Sequence, residues 1–206
     1  MSDAQVELTN PVDHSVGGMG GHILRRSIHL AIAGIPWLYF THGETISDLI
    51  SIDAIQLVSL VVLGLVIFEA VRLKIGFTVF GQRDYEAKQV SALAWGGVAI
   101  GIALLALREP DYAYPLIVSL ALGDPILGEL RRKEFDIKIV IGVATLALFA
   151  VWISYAIIFD TSLIIAILLP GVCVAAEWPR LRWIDDNATM IFIPLMLLLV
   201  LIPLVG

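Results

Sequence analysis

The sequence predicts an all-α protein built as a polytopic transmembrane bundle of about seven spans. Three observations carry that expectation. Of the 206 residues, 59% are hydrophobic and 16% are charged, against about 45–50% and about 25% in an ordinary soluble domain. Mean hydropathy is +0.91. The apolar residues fall in blocks of about 17–22, long enough to cross a hydrocarbon core of about 30 Å as helices. A transmembrane barrel would show short alternating segments instead. The same observations exclude a disordered chain, a coiled coil and a water-soluble globule.

The apolar blocks place spans at 23–41, 52–73, 90–107, 112–130, 138–158, 160–177 and 188–205. The first 22 residues are polar, carry Asp3, Glu7 and Asp13, and contain the run Gly17-Gly18-Met19-Gly20-Gly21. They lack the basic start and short apolar run of a cleaved signal and read as a flexible tail. Residues 23–206 then form a single transmembrane catalytic domain. The one cysteine, Cys173, sits in an apolar block, so no internal disulfide is expected.

Charge sets the orientation, because Lys and Arg near span ends stay cytoplasmic. With the N-terminus inside, the inner face holds twelve of the thirteen basic residues. These include Lys74, Lys88, Arg180 and Arg182, and only Arg108 falls outside. Residues able to do chemistry gather in the inner loops and the adjoining span ends. A transport path would instead place polar groups at the midplane of several spans. Polarity at one interface suits a water-soluble reactant meeting a lipid-soluble one.

Six groups carry the candidate chemistry. Arg25, Arg26 and His29 open the first span, spaced to share a helix face; they read as a phosphate clamp with a titratable partner, or as a basic anchor. Glu69 and Arg72 end the second span at a spacing that allows an ion pair. Arg83 and Glu86 precede the third span in a charged loop. Gly123-Asp124-Pro125 interrupts the fourth span. Asp before Pro is a helix-start signal, so the fourth span is expected to be broken there. A broken helix at that depth lines a cavity, with Asp124 placed to hold a divalent metal. Arg131, Arg132, Lys133 and Lys138 follow it as candidate phosphate ligands. Asp185-Asp186-Asn187 opens the seventh span after Glu177. Two adjacent carboxylates exceed what a helix cap requires, which makes Asp185 and Asp186 candidate Mg²⁺ ligands and Asn187 a phosphate contact.

In this order, Arg25-Arg26-x-x-His29, Glu69-x-x-Arg72, Arg83-x-x-Glu86, Gly123-Asp124 and Glu177 with Asp185-Asp186-Asn187 resemble the dolichol kinase and phytol kinase family. These are CTP-dependent kinases of lipid alcohols, related to the membrane cytidylyltransferases. The resemblance covers roughly residues 22 to 200. It implies phosphoryl transfer from CTP, with Mg²⁺ or another divalent cation, to the hydroxyl of an isoprenoid alcohol. It also implies that the Gly123-Asp124 region and the loop after it bind nucleotide. The glycine-spaced basic loop that the family carries there is echoed only by Lys138 and Gly142.

The expected protein is therefore a membrane kinase acting on a dolichol-, polyprenol- or phytol-like alcohol. Asp124, Asp186 and His29 are its catalytic residues, and Asp124, Asp185 and Asp186 its metal ligands. Arg25, Arg26, Gly123, Arg131, Arg132, Lys133, Lys138 and Asn187 contact phosphate or nucleotide. Glu69, Arg72, Arg83, Glu86 and Glu177 position the substrate or hold the structure. Partners are the lipid alcohol, a nucleoside triphosphate and the bilayer, not nucleic acid. A prokaryotic plasma membrane with the site facing the cytoplasm fits this set. A cytidylyltransferase making a CDP-activated lipid, or a non-catalytic membrane protein or transporter, are the alternatives.

Overall fold

The computed structural model describes residues 12–179, 181 and 183–205, so Arg180, Arg182 and the first eleven residues of the expected tail lie outside the described residues. The described chain is helical, with α1 Gly18–Ile32, α2 Ile35–Asp48, α3 Ala54–Ile75, α4 Ala92–Leu107, α5 Pro110–Arg132, α6 Ile137–Phe159, α7 Leu163–Ala175 and α8 Asp186–Val205. A short 3₁₀ turn, Asp84–Lys88, lies between α3 and α4. Four helices, α3, α5, α6 and α8, are long and apolar enough to cross a membrane. Helices α4 and α7 are apolar but shorter, below the roughly 20 residues a full crossing takes.

Local chemistry explains the helix ends. Asp53 starts α3 with a capping box: its side chain accepts from the Gln56 amide at 2.7 Å, and the Gln56 side chain accepts from the Asp53 amide at 3.1 Å. Gly76 ends α3 in the left-handed conformation, φ 76°. The Ser91 hydroxyl accepts from the Ala94 amide at the start of α4.

α5 is the hub. It packs against α1, α2, α4, α6, α7 and α8, and 56% of its apolar span is buried, against 11% for α3. The core joins Leu116, Ile117 and Leu120 of α5 to Leu148 and Trp152 of α6, Leu169 of α7 and Ile191 and Leu198 of α8. Trp152 donates to the Ser119 hydroxyl at 2.8 Å, and Ser119 donates to the Pro115 carbonyl at 2.7 Å. Every polar atom of that buried pair is thereby satisfied. Outward faces carry large exposed apolar side chains such as Leu60, Val61 and Leu63 of α3 and Leu146 and Ile157 of α6. Lipid, not water, is the solvent that suits such a surface.

Two sequence expectations change. The break expected at Gly123-Asp124-Pro125 does not occur: α5 runs unbroken through Pro115 and Pro125. An interior proline costs about 3 kcal/mol, and burial against six neighbouring helices outweighs it. Gly123 serves packing rather than bending, since a Cβ there would sit 2.9 Å from Met190 Cε of α8. The break falls instead in the expected first span, between α1 and α2, at Ala33 and Gly34, with Pro36 in the first turn of α2.

The glycine run is not free chain. α1 already begins at Gly18, and Ser15 forms an antiparallel bridge with Arg83. The Val16 amide donates to the Gln82 carbonyl at 2.8 Å and the Asp84 amide to the His14 carbonyl at 3.0 Å. Gly17 has φ 91°, and a Cβ on it would strike the Phe80 ring at 2.1 Å. A Cβ on Gly21 would lie 2.1 Å from the Val16 carbonyl oxygen. These glycines let residues 15–21 press against the 76–91 loop.

Candidate functional site

Charged side chains from α1, α5, the end of α7 and the start of α8 meet at one end of the bundle. Asp124, in the middle of α5, faces α1. Arg26 donates from Nη1 to Asp124 Oδ2 at 2.7 Å, and His29 Nδ1 lies 3.1 Å from the same oxygen. The spacing of three between Arg26 and His29 puts both on the face of α1 that meets α5. Arg26 also approaches Glu129, its Nε 3.6 Å from Oε1, while His22 Nε2 lies 3.1 Å from that oxygen. His22 and Glu129 thus brace α1 against α5. Sequence reading missed both, although Glu129 sits five residues past Asp124.

It also missed Gly128. That residue lies one helical turn after Asp124 on the same face, and a Cβ there would fall 2.1 Å from Arg26 Nη2. The bare backbone at 128 is what lets the Arg26 side chain lie across α5. The Asp-x-x-x-Gly spacing is the sequence signal for it.

Three carboxylates from separate elements converge. Ligand oxygens of Asp124, Glu177 and Asp186 lie within 4.8 Å of one another. Glu177 follows the end of α7, is 5% exposed, and accepts from Arg131 through Oε1. Its Oε2 is buried with no hydrogen-bond partner among the described residues. Burial pushes the Glu177 carboxyl up to about 8, aided by Asp186 and Asp124 and opposed by Arg131. Carboxylates from three elements, one oxygen of them buried and unpaired, fit a hard divalent cation that takes oxygen ligands. The acid-rich cluster is otherwise held together by Arg26 and Arg131.

The carboxylates that meet differ at one position from the set expected from the sequence. Asp185 caps α8: its Oδ1 accepts from the Asn187 amide at 3.1 Å and from Asn187 Nδ2 at 2.6 Å. Its carboxyl is raised well above the usual range by burial and by Asp186 beside it. Glu177, and not Asp185, lies with Asp124 and Asp186 in the carboxylate cluster, because capping α8 engages Asp185 while the chain after α7 turns Glu177 toward Asp124.

The remaining expected residues separate by role. Arg72 is fully buried and donates to both oxygens of Glu69, at 2.6 and 2.9 Å, and to the carbonyls of Phe77, Glu86 and Gln89 at 2.7–2.9 Å. Glu69 also accepts from the Ser91 amide at 2.6 Å. The pair therefore clamps the loop between α3 and α4. Glu86 accepts from Arg25 Nη1 at 2.8 Å, and Arg83 donates to the Tyr85 hydroxyl at 2.7 Å. Arg132 pairs with Glu129 at 2.7 Å. Lys133, just past the end of α5, and Lys138, in the first turn of α6, are exposed. Gly123, expected to contact nucleotide, is buried in the core against Met190 and Leu148.

A cavity of about 490 Å³ opens between α1, α3, α4 and α5. Its walls are Ile28 and Ile32 of α1, Leu65 of α3, Gly96 and Ile100 of α4 and Leu120 of α5. Few polar side chains line it, and His29 and Asn187 are two of them. His29 touches Asp124, and Asn187 follows Asp186 in α8, so the apolar cavity and the charged cluster share a wall. No family model matches the chain, and no curated protein and no solved structure matches it.

Proposed function

We propose that the protein is a multi-pass membrane kinase that moves the terminal phosphoryl group of CTP, or of another nucleoside triphosphate, onto the hydroxyl of an isoprenoid-type lipid alcohol. One observation carries the reading: His29 lies 3.1 Å from Asp124 while lining an apolar cavity. A charged, cation-competent cluster and a lipid-sized apolar space are thus joined through a single titratable side chain. The skew of basic residues supports a cytoplasmic site and an inside N-terminus, as in a prokaryotic plasma membrane.

Phosphoryl transfer asks a protein mainly for positioning and charge neutralisation. Asp124, Glu177 and Asp186 would hold a divalent cation, which would supply positive charge to offset that of the phosphates. Arg26 and Arg131, which pair with Asp124 and Glu177, sit where they can turn to phosphate oxygens. Arg132 at the end of α5, Lys133 after it and Lys138 in the first turn of α6 add exposed positive charge. His29 takes the hydroxyl proton as the alcohol oxygen bonds to the terminal phosphorus. The bond from that phosphorus to the bridging oxygen breaks, and the nucleoside diphosphate leaves with the electron pair. Asp124 lies 3.1 Å from His29 Nδ1 and would offset the charge the ring gains in this step.

The test is direct. Purified protein in lipid nanodiscs receives Mg²⁺, a polyprenol and nucleoside triphosphates labelled at the terminal phosphate. A labelled lipid monophosphate is the expected product. A CDP-linked lipid would redirect the assignment to nucleotidyl transfer. No lipid product with any nucleotide, from protein that remains folded, would end the reading.

A further inference from the structure

The loop between α3 and α4 carries a cation that no carboxylate neutralises. Arg25 pairs with Glu86, Arg26 with Asp124, Arg131 with Glu177 and Arg132 with Glu129. Arg83 is half-buried, yet it forms no ion pair among the described residues. Its Nη1 donates to the Tyr85 hydroxyl at 2.7 Å instead. A hydroxyl that accepts from a guanidinium still has its own hydrogen to give, and Tyr85 donates it to no group among the described residues. Tyr85 is also half-buried, so both groups are reachable from water. Spare guanidinium hydrogens beside a spare phenol hydrogen suit one oxyanion.

The pair borders the carboxylate cluster on its α1 side. The Arg83 amide lies 3.3 Å from Glu86 Oε1, the oxygen that accepts from Arg25 at 2.8 Å. Arg25 interacts electrostatically with Asp185, Asp124 and Tyr85 as well, and Arg83 with Asp124. Gly81 and Gln82, just before Arg83, line the apolar cavity. Arg131 meets the cluster from another direction, at the end of α5 beside Glu177. The backbone around Arg83 is tied on both sides. The Val16 amide donates to the Gln82 carbonyl and the Asp84 amide to the His14 carbonyl, while Arg72 holds the Glu86 and Gln89 carbonyls. The guanidinium is thus offered from a fixed base, as a binding group requires.

We propose that Arg83 and Tyr85 form a subsite for the phosphate of a lipid phosphate monoester, held on the cavity side of the carboxylate cluster. This rests on the kinase reading for the origin of the monoester, but the binding is tested apart from turnover. The subsite divides the phosphates between two basic groups. Arg131 and the exposed cations near it face the nucleotide, and Arg83 with Tyr85 takes the phosphate that ends on the lipid. Arg83, expected from the sequence to position substrate or hold the structure, is then a phosphate ligand. Tyr85, which the sequence did not single out, is its partner.

The experiment measures binding to the full chain in nanodiscs with Mg²⁺, with empty nanodiscs subtracted. Three probes are used: a radiolabelled fifteen-carbon prenyl monophosphate, the corresponding alcohol, and a non-hydrolysable CTP analogue. Arg83→Gln should weaken the monophosphate about tenfold or more, the worth of a charge-assisted hydrogen bond. Tyr85→Phe keeps the ring and removes only the hydroxyl, and should weaken it about fivefold or more. Alcohol and CTP analogue should stay within about twofold in both variants, since neither places a phosphate in this subsite. Arg83→Lys should recover part of the loss, because the charge returns without the planar fork. Melting temperatures check that the variants fold, and Tyr85→Phe carries the test if Arg83→Gln does not. Unchanged monophosphate affinity in the folded variants overturns the proposal. So does equal weakening of the alcohol, which marks a damaged cavity, or weakening of the CTP analogue alone, which puts Arg83 on the nucleotide. Monophosphate binding that depends on Arg83 and Tyr85, with no lipid phosphate formed in the kinase assay, would keep the subsite and remove the kinase reading. Lipid phosphate formed by the wild type, with binding indifferent to both substitutions, would do the reverse.

Discussion

Arg26 reaches Asp124 by lying across Gly128, where the helix offers no side chain; its Nη1 ends 2.7 Å from Asp124 Oδ2, and its Nη2 occupies the volume a Cβ at 128 would need. Arginine, carboxylate and glycine act as one unit, although the arginine is about a hundred residues away from the other two.

Gly128→Ala should therefore displace the Arg26 guanidinium with little effect on folding, because the end of a flexible side chain can move. Phosphoryl transfer should fall about tenfold or more, as misplacement of a charged group by about 1 Å does elsewhere. A wild-type rate for the alanine variant would remove Arg26 from phosphate handling.

Glu69 and Arg72 should behave as structure. Arg72→Met leaves the buried Glu69 carboxylate without its cation, with only the Ser91 amide as partner, and frees three loop carbonyls. Breaking one partner of such a pair costs about 3–5 kcal/mol. The variant should unfold at markedly lower detergent denaturant, whereas Asp186→Asn should not. Equal stability of the two variants would refute the division of roles.

The two adjacent aspartates separate cleanly. Asp186→Asn should weaken Mn²⁺ binding, read by electron paramagnetic resonance, about tenfold or more. Asp185→Asn should leave Mn²⁺ affinity within about twofold, because an asparagine caps a helix nearly as well. The reverse pattern would return Asp185 to the cation.

Stability should depend on pH through Glu177. Its folded carboxyl, pushed up to about 8, lies above its ordinary value of 4.5. The folded state thus keeps a proton that the unfolded state has released. In chelator, stability should fall as pH rises from about 4.5 to about 8 and change little above that. Glu177→Gln should flatten this part of the profile, as measured by melting temperature across the range.

Orientation can be read by labelling. Cys173 is buried, so a cysteine placed at exposed Lys133 reports alone. Membrane-impermeant maleimide should label Lys133→Cys only in inside-out vesicles. Labelling from the outer face of intact cells would invert the topology.

Helix positions were largely legible because each apolar block is long and uniform: the expected spans at 52–73, 112–130, 138–158 and 188–205 match α3, α5, α6 and α8 within two residues at each end. Helix propensity and backbone hydrogen bonding act over four residues, and lipid demands a continuous apolar run. Breaks were less legible. Pro125 and Pro36 look alike as local signals, yet only the second marks a helix start, since α5 is gripped on all sides while α1 and α2 are not. Roles within the polar groups were least legible. Asp124, Asp186, Arg26 and His29 could be named as reactive residues, but Glu177, read as a positioning residue, joins the Asp124 and Asp186 carboxylates while Asp185 does not.

Residue type and spacing by themselves determined that this chain is helical, suited to lipid, and charged at one end of its apolar blocks. Only tertiary structure decided which carboxylates meet, that Gly128 gives Arg26 its path, and that His29 lines an apolar cavity while lying beside Asp124. Those contacts join residues up to about a hundred positions apart, and their geometry depends on how α1, α7 and α8 dock on α5, a packing outcome that no local stretch of sequence encodes.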